Sequence, residues 1–412
     1  MEILQACFWF TLGLVVLTAG GETLVHGAVR LARALGMSPL LVGLTVVAYG
    51  TSFPEWAVTL QAAWAGAGQI ALGNVVGSNI VNVLLILGAS AAVAPLTVSL
   101  RLIRFDVPLL IGVSLAVWAM GWDGQIGRLE GAVLVAGIVV YTLLIVWAAR
   151  QETSPEVAEE YTAAFPAPPK RTWTRVSYYA GVCVLGLALL EMGTRWMVQS
   201  AVNIALALQV SELIIGLTIV AVGTSLPEMA TSLVAAIRKQ RDIAVGNIVG
   251  SCLFNLLLVL GSAGLLNAEG VPVPREAQWV DLPVMVATAA VCLPIFFTGQ
   301  RIARWEGFFL MGYYLAYTWY LVLRATQQEV MVRYFREAMF LFIIPLSILT
   351  LMVTTWQSFR KGNLCQQMSG SCSSGGSDRE KIGLIQQDSP GAGAGYTILP
   401  DAESASPDKP RQ

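Results

Sequence analysis

Gly43-Leu-Thr-Val-Val-Ala-Tyr-Gly-Thr-Ser-Phe-Pro-Glu55 decides how the rest of the chain is read. It is an apolar, helix-forming stretch interrupted by Gly50, Pro54 and a carboxylate. A glutamate among apolar residues at membrane depth is costly, so Glu55 is a functional candidate on cost alone. Pro54 has no N–H to offer the carbonyl of Gly50, and irregular backbone inside a bilayer is tolerated only within protein or beside a cavity. Unwinding is therefore expected around Gly50, turning the carbonyls of Val47 and Ala48 toward a ligand. The pattern returns at a constant offset of 173 as Gly216-Leu-Thr-Ile-Val-Ala-Val-Gly-Thr-Ser-Leu-Pro-Glu228.

Composition sets the medium. The 412 residues are 56% hydrophobic and 12% charged, with a mean hydropathy of +0.66. Soluble domains carry about 25% charged residues, so an all-α polytopic membrane protein is expected. A net charge of −1 without a basic cluster leaves no nucleic-acid footprint. The six cysteines form no C-x-x-C pair, and His26 is the single histidine, which argues against zinc, disulfide or histidine-based chemistry. With no nucleophile–base pair and no phosphate-binding loop, neither an enzyme nor a cofactor is expected.

Apolar runs of roughly 20 residues, enough to span a bilayer, fall at 7–32, 39–64, 70–95, 104–120 and 129–149, making 1–149 one repeat. Residues 150–175, with Glu152, Glu156, Glu159 and Glu160 and a Pro-rich segment, read as a cytoplasmic linker too short for a further domain. A second repeat, 176–323, holds runs at 177–207, 212–237, 243–266, 280–298 and 305–323. An extra segment, 324–356, contains an eleventh apolar run from Met339 to Trp356, interrupted by Pro345, and the polar tail 357–412 is expected to be disordered.

Residues 43–88 align with 216–261 without a gap, and 26 of 46 positions are identical. Five spans per repeat is an odd number, so the second copy is expected upside down relative to the first. The loop charges agree. With the N-terminus outside, Arg30, Arg33, Arg101, Arg104, Arg238, Lys239, Arg241, Arg301 and Arg304 lie inside, against Arg128 and Arg275 outside. No Lys or Arg precedes the first apolar run, so no cleavable signal peptide is expected. Arg324, Arg333 and Arg336 run against this scheme; either packing overrides the rule there or the last segment lies in the interface. The expected fold is two inverted five-helix repeats, ten helices, plus an eleventh, in the cell (inner) membrane. One chain contains both copies, so a monomer suffices.

Each motif places hydroxyls one helical turn before its glutamate: Thr51 and Ser52 before Glu55, Thr224 and Ser225 before Glu228. On a continuous helix these share a face with the carboxylate. The next span adds Gly73-Asn74-Val-Val-Gly-Ser78-Asn-Ile-Val-Asn82 and Gly246-Asn247-Ile-Val-Gly-Ser251-Cys-Leu-Phe-Asn255. All these donors are hard oxygens, suited to Ca²⁺ or Na⁺ rather than a thiophilic metal. Inversion is expected to bring Glu55 and Glu228 together at the midplane. A divalent cation between them cancels their repulsion, and Mg²⁺, which demands a tight octahedron, is disfavoured.

The paired G-T-S-x-P-E and G-N-x-x-G-S-x-x-x-N motifs resemble the two α-repeats of the sodium/calcium exchanger family, part of the cation/Ca²⁺ antiporter superfamily. The resemblance covers residues 7–323 and implies secondary, electrogenic exchange of Na⁺ for Ca²⁺ by alternating access. By motif position, Glu55 and Glu228 resemble the central Ca²⁺ ligands, and Thr51 and Thr224 resemble ligands shared with Na⁺. Ser52, Ser78, Ser225, Ser251 and the carbonyls of Ala48 and Ala221 resemble parts of flanking Na⁺ sites, and Asn82 and Asn255 complete the central one. The K⁺-dependent branch carries Asp at position 255, so the Asn here implies K⁺-independent exchange. The run from Met339 to Trp356 has no counterpart in the family core.

Other readings stand beside this one. Paired carboxylates could instead carry protons in a Ca²⁺/H⁺ antiporter, or hold Ca²⁺ in a non-transporting sensor. The glutamates could cap broken helices, Asn82 and Asn255 could be interhelical hydrogen-bond glue, and the glycines at 73, 77, 246 and 250 could serve packing. Glu22, His26 and Arg30 read as an internal polar stripe, Glu191 with Arg195 as a neutralising pair, Arg128–Glu130 and Arg304–Glu306 as interfacial anchors, and Cys252 as inert packing.

Overall fold

The computed structural model describes residues 2–151, 173–209, 219, 221–267, 269–297, 299–346, 349, 350 and 352. These all belong to one compact unit, 1–359; a second, 360–412, lies outside the described residues. So do nearly all of the linker and the tail, and most of the first half of the span at 212–237.

The elements follow the apolar runs closely. In order they are α1 (Glu2–Leu35), α2 (Pro39–Thr51), α3 (Phe53–Trp64), α4 (Gly68–Val93), β1 (Leu96–Thr97), α5 (Leu102–Asp123), β2 (Gln125–Ile126) and α6 (Arg128–Gln151). The second half gives α7 (Trp173–Ala207), α8 (Ala221–Gly223), α9 (Leu226–Ile237), α10 (Arg241–Leu266), β3 (Val271–Pro272), α11 (Ala277–Phe297), β4 (Arg301–Ile302) and α12 (Arg304–Ala325). Among the described residues, seven helices are long and apolar enough to cross a membrane, and α2 and α9 are shorter apolar pieces. The span at 305–323 forms α12, which carries Arg304, Glu306 and Arg324 and is not one of the seven.

The broken stretch differs from expectation in one respect. The helix continues through Gly50, and the break falls at Ser52 (φ −86°, ψ 5°). Pro54 sits in the first turn of α3, where its missing N–H costs nothing. Ser52 serves both pieces, its N–H bonding the Ala48 carbonyl at 3.1 Å and its own carbonyl taking the Trp56 N–H at 3.1 Å. Gly50 is explained by packing: a Cβ there would lie 2.6 Å from Leu187 Cδ1.

α4 and α10 form the buried centre, α10 along nearly its whole length. Both widen into π-helical turns just after the polar motif, at Val81–Leu87 and Asn255–Leu260, a distortion frequent at functional sites. Outside this centre, α1 and α7 pack on each other antiparallel and self-complementarily. Gly13 meets Gly193 and Met197, while Gly20 meets Gly186 and Leu190. Under the offset of 173, Gly13 and Gly20 are the counterparts of Gly186 and Gly193, so each contact has its mirror. Small residues let the backbones touch where lipid gives no hydrophobic drive for association.

Two short antiparallel ladders repeat the theme, β1 with β4 and β2 with β3, each joining a loop of one half to a loop of the other. Within each half an equivalent anchor recurs: Tyr141 donates to buried Asp106 at 3.0 Å, and half-buried Tyr317 donates to Asp281 at 2.9 Å. After α12 comes α13 (Glu329–Ala338), which buries none of its residues. Arg324, one of the three charges that opposed the loop-charge scheme, is answered by Glu276 at 3.6 Å and by the ring of Tyr320. Of the eleventh run, Met339–Ile343 is a π-helical turn; residues 353–356 lie outside the described residues.

Candidate ion-binding site

Glu55 lies in the first turn of α3 and Glu228 in the first turn of α9, immediately past the two breaks. Both are buried, at 1% and 0% exposure. Unpaired N–H groups and the helix dipole favour negative charge there. Their hydrogen bonds cross between halves. Ser52 Oγ donates to Glu228 Oε1 at 2.8 Å, and Ser225 Oγ donates to Glu55 Oε1 at 3.4 Å. A continuous helix would have put each serine beside its own glutamate; the break at Ser52 turns it to the opposite one.

Asn74 and Asn247 complete this cross-bracing. Asn247 Nδ2 donates to the Glu228 main-chain carbonyl at 3.4 Å and to Ser232 Oγ at 2.9 Å, while its Oδ1 accepts from Thr51 Oγ1 at 3.2 Å. Asn74 repeats the pattern with the Glu55 carbonyl (3.3 Å), Thr59 (2.9 Å) and Thr224 (3.5 Å). The Thr51 hydroxyl has two acceptors, Asn247 Oδ1 and the Ala48 carbonyl at 3.3 Å, and the Thr224 hydroxyl has Asn74 Oδ1. Neither asparagine was singled out from the sequence, although both stand inside the repeated motif at matching positions.

Several of the polar groups left unsatisfied gather on the same elements. Glu55 Oε2, Glu228 Oε2, Ser78 Oγ and both side-chain polar atoms of Asn82 and Asn255 are buried without a hydrogen-bond partner. More than nine in ten buried polar groups find a partner, so this concentration needs an explanation. For Asn255 this weighs against the glue reading, whereas Asn82 faces the Cys252 thiol on α10. Ser251 Oγ donates to the Ala48 carbonyl at 3.4 Å. Ala221 opens α8, and Ser225 N–H bonds Val222 rather than the residue four back as Ser52 does. Orphaned carboxylate, amide and hydroxyl oxygens are the donor set a hard cation needs.

One half of the site is covered by α2. A Cβ on Gly246 would lie 3.0 Å from the Leu40 carbonyl, and one on Gly250 only 2.7 Å from the Leu44 carbonyl, so α2 packs directly on α10. Around Gly73 and Gly77, their counterparts on α4, nothing among the described residues lies within 4 Å; the segment equivalent to Leu40–Leu44, residues 213–217, lies outside them. Gly73 is exposed and Asn74 half-buried, whereas Gly246 and Asn247 are buried. Gly246 and Gly250 thus do pack closely on α2.

The remaining candidates resolve individually. Arg195 pairs with Glu191 at 2.6 Å, as expected. Glu130 and Glu306 accept from the N–H groups of Gly127 (3.1 Å) and Ala303 (2.7 Å), tying down the starts of α6 and α12 rather than acting through Arg128 or Arg304. Cys252 is buried. Glu22, His26 and Arg30 are exposed, so the stripe is external rather than internal.

Comparison with known proteins places this geometry. The family described as sodium/calcium exchanger protein matches residues 5–147 and 178–323. The CaxA protein of Alkalimonas amylolytica is 40% identical over 322 residues, covering 77% of this chain and 99% of that protein. Sodium/calcium exchanger MaX1 of Methanosarcina acetivorans is 30% identical over 335 residues, 74% of this chain and 95% of that one. Among solved structures, the sodium-calcium exchanger NCX_Mj, soaked with Na⁺ and Sr²⁺, superposes with a TM-score of 0.65 at 29% identity over 76% of this chain and 97% of that chain.

Proposed function

The chain belongs to the sodium/calcium exchanger protein family, an integral membrane family of ion transporters, and on that premise we propose that it is a secondary antiporter exchanging Na⁺ for Ca²⁺. The observation that carries this reading is the pair of buried, cross-braced carboxylates, each with one oxygen left unpartnered. Two negative charges balance one Ca²⁺. Glu55 Oε2, Glu228 Oε2, Asn82 Oδ1, Asn255 Oδ1 and Ser78 Oγ, with the carbonyls of Thr51 and Thr224, supply hard oxygens in the number Ca²⁺ takes, 6–8. Ala48 with Ser251, and Ala221 with Ser78, form the flanking positions for Na⁺, and Ser52 and Ser225 orient the carboxylates.

The antiparallel contact of α1 with α7 supports the ten-helix inverted repeat, and the loop charges favour the N-terminus outside and the linker cytoplasmic. Radiolabelled Ca²⁺ uptake into Na⁺-loaded proteoliposomes tests the reading. Uptake driven by the Na⁺ gradient is expected, and uptake indifferent to it sinks the proposal. Unpartnered carboxylate oxygens also favour a second reading, Ca²⁺/H⁺ exchange, which requires a pH gradient to replace Na⁺ in the same vesicles.

Asn255, buried with its amide unpartnered, supports exchange without K⁺. Asn255→Asp adds a third carboxylate to the site. Monovalent-cation affinity is expected to rise about tenfold, with K⁺ stimulation appearing, consistent with stronger binding where ligand charge increases. Unchanged Na⁺ and K⁺ dependence in the flux assay would place Asn255 outside the site.

A further inference from the structure

The pair Glu191–Arg195 sits where an exposed charge is least expected. α7 is 35 residues long, about 52 Å at 1.5 Å per residue, and Glu191 falls near its middle. Its side chain is nonetheless 34% exposed, and that of Arg195 76%. Charges at membrane depth are tolerated where they face a water-filled cavity or the inside of a helix bundle.

The face of α7 that carries Glu191 is turned to the ion site. Leu187, Glu191, Thr194 and Val198 follow at spacings of four, three and four residues and share one side of the helix. Leu187 packs on Gly50, as described above, and Val198 packs on Gly223, where a Cβ would lie 2.8 Å from Val198 Cγ2. Gly50 and Gly223 are equivalent in the repeat, and each opens a G-T-S-x-P-E motif. Glu191 and Thr194 therefore lie between the two breaks that carry Glu55 and Glu228. The Glu191 charge is felt at Glu55. The Thr194 hydroxyl is buried without a hydrogen-bond partner, so a second hard oxygen stands one turn from the carboxylate.

The repeat does not supply this pair twice. On α1 the equivalent positions are Thr18, whose hydroxyl donates to the Leu14 carbonyl at 2.8 Å, and Gly21. A Cβ on Gly21 would lie 3.2 Å from the Ala230 carbonyl oxygen, so α1 closes on α9 there.

We propose that Glu191 and Thr194 form an entry position for Ca²⁺ on its way to Glu55 and Glu228, which deepens the exchange reading above and rests on it. Arg195 holds the carboxylate between ions and is displaced by the incoming charge. In the orientation proposed above Arg195 lies outward of Glu191, so the entry serves the outer face alone.

Initial rates of Na⁺-driven Ca²⁺ uptake test this, in right-side-out membrane vesicles for the outer face and inverted vesicles for the inner. Glu191→Gln is expected to raise the outer-face KM for Ca²⁺ about fivefold with kcat unchanged, and to leave the inner-face KM alone. Arg195→Gln is expected to lower the outer-face KM about threefold, and Glu191→Asp to restore most of the wild-type value. Added choline chloride should narrow the gap between wild type and Glu191→Gln, because exposed charges are screened by salt. Asp123→Asn, which removes an exposed carboxylate at the far end of α5, leaves KM unchanged. In detergent, Glu191→Gln keeps the Ca²⁺-induced rise in melting temperature, which loss of a central ligand would remove. An unchanged outer-face KM in Glu191→Gln, an equal rise at both faces, or loss of the melting rise would overturn the proposal. Wild-type vesicles that ignore the Na⁺ gradient would instead sink the exchange reading, and the entry position with it.

Discussion

Glu228→Gln is expected to abolish Ca²⁺ uptake, with Ca²⁺ affinity falling by at least ~100-fold. The substitution keeps the volume and an oxygen able to accept from Ser52, which now donates to Glu228 at 2.8 Å, so it isolates the charge. Removing one partner of a buried charge pair costs about 3–5 kcal/mol, and each 1.4 kcal/mol is tenfold in affinity. Glu55→Gln is expected to match it, because the two carboxylates occupy equivalent positions. A second readout separates this from misfolding. Ca²⁺ raises the melting temperature of a protein that binds it, and the rise should vanish in both variants while the ion-free protein melts no lower than the wild type. Retained Ca²⁺ stabilisation in either variant would remove that glutamate from the site.

Gly193→Val is expected to lower the melting temperature by several degrees and to reduce transport. A Cβ at Gly193 would lie 2.5 Å from the Leu17 backbone nitrogen and 2.8 Å from the Gly13 carbonyl. Both neighbours are main-chain atoms of a packed helix, so α1 and α7 must separate; overpacking of this kind costs about 1–3 kcal/mol. Gly186→Val, facing Leu24 nitrogen at 2.6 Å, is expected to behave alike. Gly181→Val lies on the same helix with nothing within 4 Å and should shift melting by no more than about a degree. Equal shifts at 181 and 193, measured by thermal melting in detergent, would show that helix propensity rather than the contact sets the loss.

The spans were legible because apolar runs at membrane length leave little choice, and α4 and α10 begin and end within two residues of their apolar runs. Glu55 and Glu228 were legible because a buried carboxylate is costly and occurs twice. The bend was misplaced by two residues, since the sequence shows which residues permit a break but not which backbone carbonyl absorbs it. That small error decided which glutamate Ser52 serves. Asn74 and Asn247 were passed over because an asparagine near the start of an apolar span has many uses, and only tertiary contact reveals that each bridges both halves.

Because Gly13 meets Gly193 while Gly20 meets Gly186, the seam between α1 and α7 is of the kind two identical chains make around a dyad. Within a single duplicated gene, a change on one side of such a seam must be accommodated not by its own duplicate but by a different position in the other copy. Leu17 answers to Gly193 and Leu190 to Gly20, Leu24 to Gly186 and Met197 to Gly13. The two copies are thereby free to drift apart in spelling while staying matched in shape, so the fit between halves can outlast their resemblance.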